Sequence, residues 1–247
     1  MTYYPILLDL KGKKALVVGG GKVAWRKIDT LLEYGARVHV IAKELNATLR
    51  AYVEQGKIKY LGAEFSEKHL SDVFLVIAAT DDSQMNQEIS EAAKSRGLLI
   101  NAVDQPDDCN FIVPSVLRRG DLQIAVSTSG RSPALAKKVR EDLENAFGLE
   151  YADLLNLLGQ LRKTVLSRCL SGTENKKIFY DLVYSPLLEA ITKDDWGWAA
   201  SIVNGILGSR YNGDDIRELC LQDRADMDRQ TIENCAPGND YSRGRIK

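Results

Sequence analysis

The sequence predicts an α/β protein with a doubly wound parallel sheet, followed by a β-hairpin and helix and then a small all-helical domain. Short apolar runs alternate with helical patterns through about the first hundred residues, which is typical of strands joined by crossover helices. A glycine cluster separates the first apolar run from the first helical pattern. Apolar spacing is helical from residue 150 to residue 208.

The first crossover unit runs from Lys14 to Ala42. An apolar run, 14–18, ends in three glycines, and a helical pattern follows that Gly35 is expected to terminate. A second β-rich run, 37–42, completes about 30 residues, the usual length of a right-handed βαβ unit. This arrangement indicates a Rossmann-type sheet.

The remaining elements follow in order along the chain. The alternation continues with a helix at 44–55, strands at 58–61 and 73–79, a helix at 83–96 and a strand at 98–103. Two strand-like runs, 111–117 and 122–127, flank a turn signal and predict a hairpin. A helix beginning at Pro133, capped by Ser132, comes next, and the helical region is interrupted at 171–173 and 194–195. We therefore expect four segments: a nucleotide-binding domain at 1–112, a dimerisation segment at 113–148, a helical domain at 149–222 and a mobile tail at 223–247.

Composition excludes several classes of protein. Thirty-three basic against 34 acidic residues give a net charge of −1, which argues against a protein that coats nucleic acid. No apolar run approaches the roughly 20 residues of a membrane helix, and no secretory signal pattern opens the chain, so we expect a cytoplasmic protein with no membrane or nucleic-acid partner. Four dispersed cysteines and two histidines predict no metal site. With so little histidine, a carboxylate is the expected acid or base.

The glycine turn carries the first functional signal. Residues 19–24 fit the GxGxxA pattern, with Gly19, Gly21 and Ala24 at its fixed positions and Lys22 and Val23 between them. Gly19 permits a tight turn, Gly21 lets a pyrophosphate approach the backbone, and Ala24 allows close packing of helix on strand. The helix that follows aims its first N–H groups at the anion. A dinucleotide site is predicted here.

Two further turns lie at the same predicted edge. The second strand ends near Lys43 and Glu44, later than the usual acidic residue that binds the ribose, so these residues leave NAD and NADP as alternatives. The turn after the fourth strand brings Thr80 and Asp81 to where a dinucleotide crosses the sheet. One of these two residues serving as helix N-cap is an equal alternative, compatible with cofactor contact.

The fifth predicted strand ends in a group of candidate site residues. Asn101 and Val103 are expected to contact the cofactor, and Asp104 is expected at the nicotinamide end of the crevice. An Asp before a Pro-containing turn is often only a turn former, yet Asp104 is the best acid–base candidate in the chain. A later loop joins the hairpin to a helix and can bind carboxylates, although a flexible capped loop is the alternative. Its residues are Ser127, Thr128, Ser129, Gly130, Arg131 and Ser132.

Together these residues resemble the precorrin-2 dehydrogenase and sirohydrochlorin ferrochelatase family, which includes the N-terminal portion of siroheme synthase and its stand-alone relatives. The similar stretches cover roughly residues 1–150. They are Pro5-Ile6, residues 17–24 with Arg26-Lys27, residues 77–82, Asn86-Gln87, Asn101 with Val103-Asp104, residues 111–115, residues 125–130 and Ser132-Pro133.

The resemblance implies an NAD-dependent oxidoreductase that converts precorrin-2 to sirohydrochlorin in siroheme biosynthesis, with Fe²⁺ insertion as a second activity in some members. It implies a homodimer, and it assigns Asp104 to both activities. The resemblance also explains why the loop 127–132 would bind carboxylates, because the tetrapyrrole substrate is rich in them. In multifunctional members a serine of this loop can be phosphorylated, and Thr128 occupies its place here. The alternatives are a non-catalytic NAD(H)-responsive regulator and a dehydrogenase of another small molecule.

Overall fold

The computed structural model describes residues 3–221 of the 247-residue chain. The predicted tail, 223–247, and the last predicted residue of the helical domain, 222, lie outside the described residues. Within the described part, the chain divides into two compact units. The first contains residues up to 113 together with 128–132, and the second contains 114–127 together with the chain from 133 onward.

The first unit is a five-stranded sheet with helices between the strands. Its elements are β1 (Lys14–Val18), α1 (Lys22–Glu33), β2 (Arg37–Ile41), α2 (Ala47–Glu54), β3 (Lys59–Gly62), β4 (Leu75–Ala78), α3 (Ser83–Ser95) and β5 (Leu99–Ala102). Short 3₁₀ turns at Glu67–Leu70 and Pro106–Asp108 join some of them. Every strand pair is parallel, in the order β3-β2-β1-β4-β5. The predicted Rossmann-type sheet is confirmed.

Residues of β1 alternate between two apolar layers, which explains why the sheet is covered on both faces. Ala15 and Val17 belong to a core that includes Ala24 and Ile28 of α1. Leu16 and Val18 belong to the opposite core, with residues of α3. Because parallel strands are buried on both sides, they appear in the sequence as the continuous apolar runs from which they were predicted.

Helix α2 begins three residues later than the pattern predicts. The side chain of Asn46 accepts a hydrogen bond from the backbone N–H of Leu49 at 2.9 Å, so Asn46 is the N-cap and residues 44 and 45 belong to the preceding loop. Asn is among the preferred N-cap residues because its side-chain oxygen satisfies an otherwise unpaired N–H. This loop lies beside the glycine turn.

The second unit contains a two-stranded antiparallel hairpin and six helices among the described residues. The elements are β6 (Ser115–Arg119), β7 (Leu122–Val126), α4 (Pro133–Ala146), α5 (Glu150–Leu166), α6 (Gly172–Val183), α7 (Leu187–Thr192), α8 (Trp196–Leu207) and α9 (Gly213–Leu221). Helices α5 to α9 share one apolar core, in which Leu157, Leu161 and Val203 are fully buried. The predicted hairpin and helical region are confirmed.

The structure contains one break in the helical region that the sequence did not predict. Helix α6 ends at Val183 and α7 begins at Leu187. Pro186 lies between them, and a proline lacks the backbone N–H and disfavours helical geometry in the residue before it. The prediction of an unbroken helical stretch between residues 173 and 194 is therefore wrong.

In the part of the chain that the structure describes, no helix is both long enough and apolar enough to cross a bilayer.

Candidate active site

Gly19 turns the chain at the carboxyl end of β1. Its φ is +132°, a conformation that residues with a Cβ rarely adopt. A Cβ at this position would collide with the carbonyl oxygen of Ala79, which follows β4. Glycine is therefore required both for the backbone conformation and for the close approach of the neighbouring strand, in agreement with the role predicted from the sequence.

The fold also requires glycine at position 20, which the sequence pattern did not predict. A Cβ on Gly20 would collide with the carbonyl oxygen of Glu44. The backbone N–H of Asn46 donates to the carbonyl oxygen of Gly20 at 3.0 Å, and its side-chain amide donates to that of Gly21 at 3.3 Å. The loop containing Lys43 and Glu44 is thus held against the glycine turn.

The beginning of α1 is open toward an anion. Gly21 is the N-cap, it supplies no side-chain hydrogen bond, and the first turn of the helix contains no acidic residue. The first N–H groups of the helix, those of Lys22, Val23 and Ala24, precede the first hydrogen bond within this turn, from Trp25 N–H to the Gly21 carbonyl. A Cβ built on Gly21 meets nothing within 4 Å, and Ala24 is fully buried. These features fit a dinucleotide phosphate.

The turn after β4 is held by a buried amide. Asn86 is 3% exposed, and its side-chain oxygen accepts from the Thr80 hydroxyl at 2.8 Å and from the Thr80 backbone N–H at 3.2 Å. Its amide nitrogen donates to the Thr80 carbonyl at 3.1 Å. The expectation that Thr80 or Asp81 caps the next helix is wrong, because the carboxylate of Asp82 accepts from the Met85 backbone N–H. Thr80 is held by Asn86, and Asp81 is exposed on the turn.

The residues after β5 form a tight turn that presents Asp104. Val103 N–H donates to the Ala78 carbonyl at 2.9 Å, which continues the strand pairing beyond the end of the sheet. Asp104 follows with a φ of +60° and is exposed. Left-handed geometry outside glycine is uncommon, and Asp is one of the residues that tolerate it. The structure therefore holds the carboxylate of Asp104 at this edge in a conformation few other residues adopt.

Asn101 makes internal contacts that its sequence position did not predict. Its amide donates to the Phe111 carbonyl at 3.2 Å and approaches the Cys109 sulfur at 3.6 Å. Cys109 is buried, and its sulfur also contacts the Ala102 backbone N–H at 3.2 Å. Burial raises the pKa of the Cys109 thiol, which suits a structural, protonated sulfur. These contacts fix the turn that carries Asp104.

Lys27 is a charged residue near this turn that sequence reasoning did not select as a site residue. It is half-buried on α1. Burial is the largest cause that lowers its pKa, Arg26 lowers it further, and the charges of Cys109 and Asp104 oppose the shift. A partly desolvated ammonium thus interacts electrostatically with Asp104. The sequence offered only the pair Arg26-Lys27 as a signal, because the burial of this lysine depends on the folded sheet.

The loop predicted to bind carboxylates has an ordered internal structure. The Thr128 hydroxyl donates to the Ser132 carbonyl at 3.0 Å and accepts from the Ser132 N–H at 3.1 Å. Ser129 and Gly130 both have positive φ, and Arg131 is exposed. Residues 128–132 belong to the first unit, whereas Ser127 belongs to the second.

Three neighbouring strands bring the main candidates to one edge of the sheet. The glycine turn follows β1, the Thr80 turn follows β4 and Asp104 follows β5. Since β1 pairs with β4 and β4 pairs with β5 in parallel, their carboxyl ends lie side by side. In open α/β sheets this edge, where the strand order reverses between β1 and β4, is where ligands bind.

Comparisons with known proteins agree with this geometry. Residues 6–115 match a family model described as "Putative NAD(P)-binding", and residues 119–146 match one described as "Sirohaem biosynthesis protein central". A siroheme synthase of Neisseria meningitidis serogroup C (strain 053442) is 41% identical over 194 residues, which cover 78% of this chain and 40% of that protein. A siroheme synthase of Mannheimia succiniciproducens is 37% identical over 219 residues, covering 82% and 46%.

A solved structure extends the similarity to the fold. It is named "SirC, precorrin-2 dehydrogenase", and it matches with a TM-score of 0.70 and 27% identity over 84% of this chain and the whole of that one. The chain spans about two fifths of the length of the Neisseria siroheme synthase that it matches. The matched NAD(P)-binding region supports a nicotinamide dinucleotide site.

Proposed function

We propose that the chain belongs to the family of precorrin-2 dehydrogenases and the corresponding N-terminal portions of siroheme synthases, and that it is an NAD-dependent precorrin-2 dehydrogenase. In this reaction precorrin-2 loses a hydride and a proton to become sirohydrochlorin, and NAD⁺ becomes NADH. The observation that carries the proposal is the position of Asp104. It follows β5, two strands from the glycine turn after β1 and with only β4 between them, at the same edge of the sheet.

Asp104 is proposed as the general base. The macrocycle must lose one proton for each hydride transferred, and a positioned carboxylate can accept it. The left-handed turn holds this side chain exposed at the sheet edge, and the buried thiol of Cys109 and the Asn101 amide fix the turn beneath it. Strained backbone at such a position is typical of functional sites.

The cofactor is proposed to be NAD, and the bound nicotinamide ring would supply the hydride acceptor. The N–H groups of Lys22, Val23 and Ala24 would bind its pyrophosphate, with Gly19 and Gly21 allowing its approach. Lys43 and Glu44 would line the ribose through the loop that packs on Gly20. Thr80, Asp81, Asn101 and Val103 would complete the cofactor site from the neighbouring turns. A rate with NADP⁺ equal to that with NAD⁺ would contradict the choice of NAD.

The substrate carboxylates are proposed to bind the loop residues Ser127, Thr128, Ser129, Gly130, Arg131 and Ser132. Exposed hydroxyls, a guanidinium and backbone N–H groups are suitable donors for carboxylates. We further propose a homodimer assembled through residues 113–148. Leu135 and Val139 lie one turn apart on α4 and are both exposed, which fits a surface that another copy covers. Light scattering of the purified chain tests this directly.

Ferrochelatase activity remains a separate prediction, with Fe²⁺ and sirohydrochlorin as substrates. Asp104 would accept pyrrole N–H protons during metal insertion. Insertion no faster than in the enzyme-free control would exclude this activity while leaving the dehydrogenase proposal intact.

The proposal is tested by incubating the purified chain with precorrin-2 and NAD⁺ under anaerobic conditions. We expect NADH to appear together with the sirohydrochlorin spectrum. A folded protein that binds NAD⁺ but converts no precorrin-2 would contradict the proposal. If NADH then altered its assembly with a partner while no tetrapyrrole bound, the regulatory alternative would be favoured.

A further inference from the structure

A groove opens in the first unit beside the amino ends of β2 and β3, and several basic side chains line it. Arg37, His39, Lys57 and Lys59 contribute to its lining. We call it the basic groove. Because all strands of the sheet are parallel, the amino ends lie at the edge opposite to the glycine turn and Asp104. The basic groove is therefore separate from the proposed dinucleotide site.

Three basic side chains of the groove, those of Arg37, His39 and Lys59, lie on neighbouring strands. Arg37 and His39 are two residues apart on β2, so their side chains leave the same face of the sheet. Lys59 on β3 is the register partner of His39. The residues that line the groove include no Asp or Glu. Within the described residues, Arg37, Lys57 and Lys59 take part in no ion pair.

Two of these cations make contacts within the protein, but not with an acidic group. Arg37 donates through Nε to the Gly12 carbonyl at 2.8 Å, and the ammonium of Lys57 lies 5.3 Å from the centre of the Tyr52 ring. Neither contact supplies a negative charge. The groove thus combines several hydrogen-bond donors with positive charges that no ion pair among the described residues compensates, and such a cluster attracts anions.

His39 adds a donor of defined orientation. Its Nδ1 is sealed from solvent and has no hydrogen-bond partner among the described residues. A buried N–H without an acceptor is rarer than a buried acceptor without a donor, so we place the proton of the neutral ring on Nε2. Burial lowers the pKa of His39, and Lys14, Lys59 and Arg37 lower it further. Among the described residues, the charged groups that shift the pKa of His39 are all cations.

We propose that the basic groove binds a small multivalent oxyanion, with Lys57, Lys59 and the Nε2–H of His39 as donors. Phosphate and polycarboxylates share this chemistry. A competing explanation is that lysines on the edge strand β3 only prevent pairing with other chains. That explanation accounts for Lys59, but it predicts no saturable site and no response of the His39 ring.

The two histidines of the chain make the test specific. Inorganic phosphate is titrated into the full-length protein at constant ionic strength, maintained with sodium chloride, while the imidazole signals are followed by NMR. We expect the His39 signals to shift saturably and the pKa of His39 to rise by about 0.5, because a bound anion favours the protonated ring. His69, whose ring bonds Ser66 in a distant turn, should not respond.

Two variants distinguish phosphate binding in the basic groove from a nonspecific electrostatic effect of phosphate on the protein. The double variant Lys57→Gln, Lys59→Gln should weaken phosphate binding about tenfold, because two charge-assisted hydrogen bonds are lost. Lys68→Gln removes an exposed lysine next to His69 and should leave the His39 titration unchanged. An unsaturable shift, an equal response of His69, or an unchanged affinity of the double variant would overturn the proposal.

A parallel titration with citrate identifies the chemistry of the occupant. Tighter saturation by citrate would assign polycarboxylates, and tighter saturation by phosphate would assign phosphate esters or free phosphate. Neither titration measures turnover, so the result is independent of the proposed dehydrogenase activity. Phosphate that binds only at the beginning of α1 would leave His39 unchanged and would contradict the basic groove.

Discussion

Two adjacent glycines are expected to have separable roles. Gly20→Ala should destabilise the protein by about 1–3 kcal/mol, because the new Cβ collides with the Glu44 carbonyl. Gly21→Ala should leave the free energy of unfolding within about 0.5 kcal/mol of wild type, since a Cβ there meets nothing. It should nevertheless weaken NAD⁺ binding, because the Cβ occupies the path of the pyrophosphate. Thermal unfolding and calorimetric NAD⁺ titration measure both effects, and equal destabilisation by the two substitutions would contradict this assignment.

Lys27 links stability to pH. Its pKa in the folded protein is lowered from the usual 10.5, mainly by burial, so the unfolded chain binds more protons between the folded pKa and 10.5 and stability rises with pH across that window. At neutral pH the cost of burying the ammonium is fully present. Lys27→Met should therefore stabilise the protein at pH 7 by less than about 1 kcal/mol, since partial exposure reduces the effect.

The control for this prediction lies on the same helix. Lys22→Met replaces an exposed lysine and should change the free energy of unfolding by no more than about 0.5 kcal/mol. Chemical unfolding of both variants at pH 7 and near pH 10 gives the comparison. A Lys27→Met variant whose advantage grows with pH would contradict the assigned burial cost.

The residues that the sequence missed depend on contacts between distant segments. Gly19, Gly21 and Ala24 follow a local spacing rule, so they were predictable. Gly20 is constrained by Glu44, a residue of the following loop, and no local pattern encodes that contact. Nearly the same is true of Asn86, whose side chain holds the Thr80 turn from within a helix.

At the scale of elements, Asn46 connects a helix cap to the cofactor site. Its side-chain oxygen caps α2, and its amide donates to the Gly21 carbonyl. Asn46→Ala should cost about 1 kcal/mol of stability and weaken NAD⁺ binding. Asn46→Asp retains a capping oxygen but lacks the donor, so it should weaken binding with a smaller loss of stability.

A second cap serves as the matched control. Ser171 caps α6 in a reciprocal arrangement with Glu174, within the second unit. Ser171→Ala should cost about 1 kcal/mol and leave NAD⁺ affinity unchanged. If Asn46→Asp bound NAD⁺ as tightly as wild type, the loop after β2 would have no role in shaping the glycine turn.

The type of each element was more predictable than its ends. β1 and β4 are apolar runs buried on both faces, whereas the edge strand β3 is exposed or half-buried throughout, yet all five strands of the sheet were found. Boundaries depend on individual capping residues, such as Asn46 at α2 and Asp82 at α3. Between α6 and α7 the apolar spacing continues past Pro186 and concealed the break.

At the scale of the whole molecule, the net charge of −1 says little about local sites. On α4, lysines and arginines lie beside carboxylates, as Lys138 lies beside Asp142, so their charge is partly compensated. Anion binding is instead proposed for the exposed Arg131 and for the cations of the basic groove, which form no ion pair within the described part of the chain. Overall charge excluded a general polyanion binder, but only the folded structure distinguishes paired from unpaired cations.

One paired measurement on the full chain tests the proposed catalytic role of Asp104 most directly. NADH formation from precorrin-2 and calorimetric binding of NAD⁺ are measured for wild type and for Asp104→Asn, which preserves the shape and the left-handed turn but removes the base. We predict that the variant binds NAD⁺ like wild type and loses turnover by about 100-fold or more. Turnover by Asp104→Asn at the wild-type rate would contradict the central claim that Asp104 is the general base of a precorrin-2 dehydrogenase.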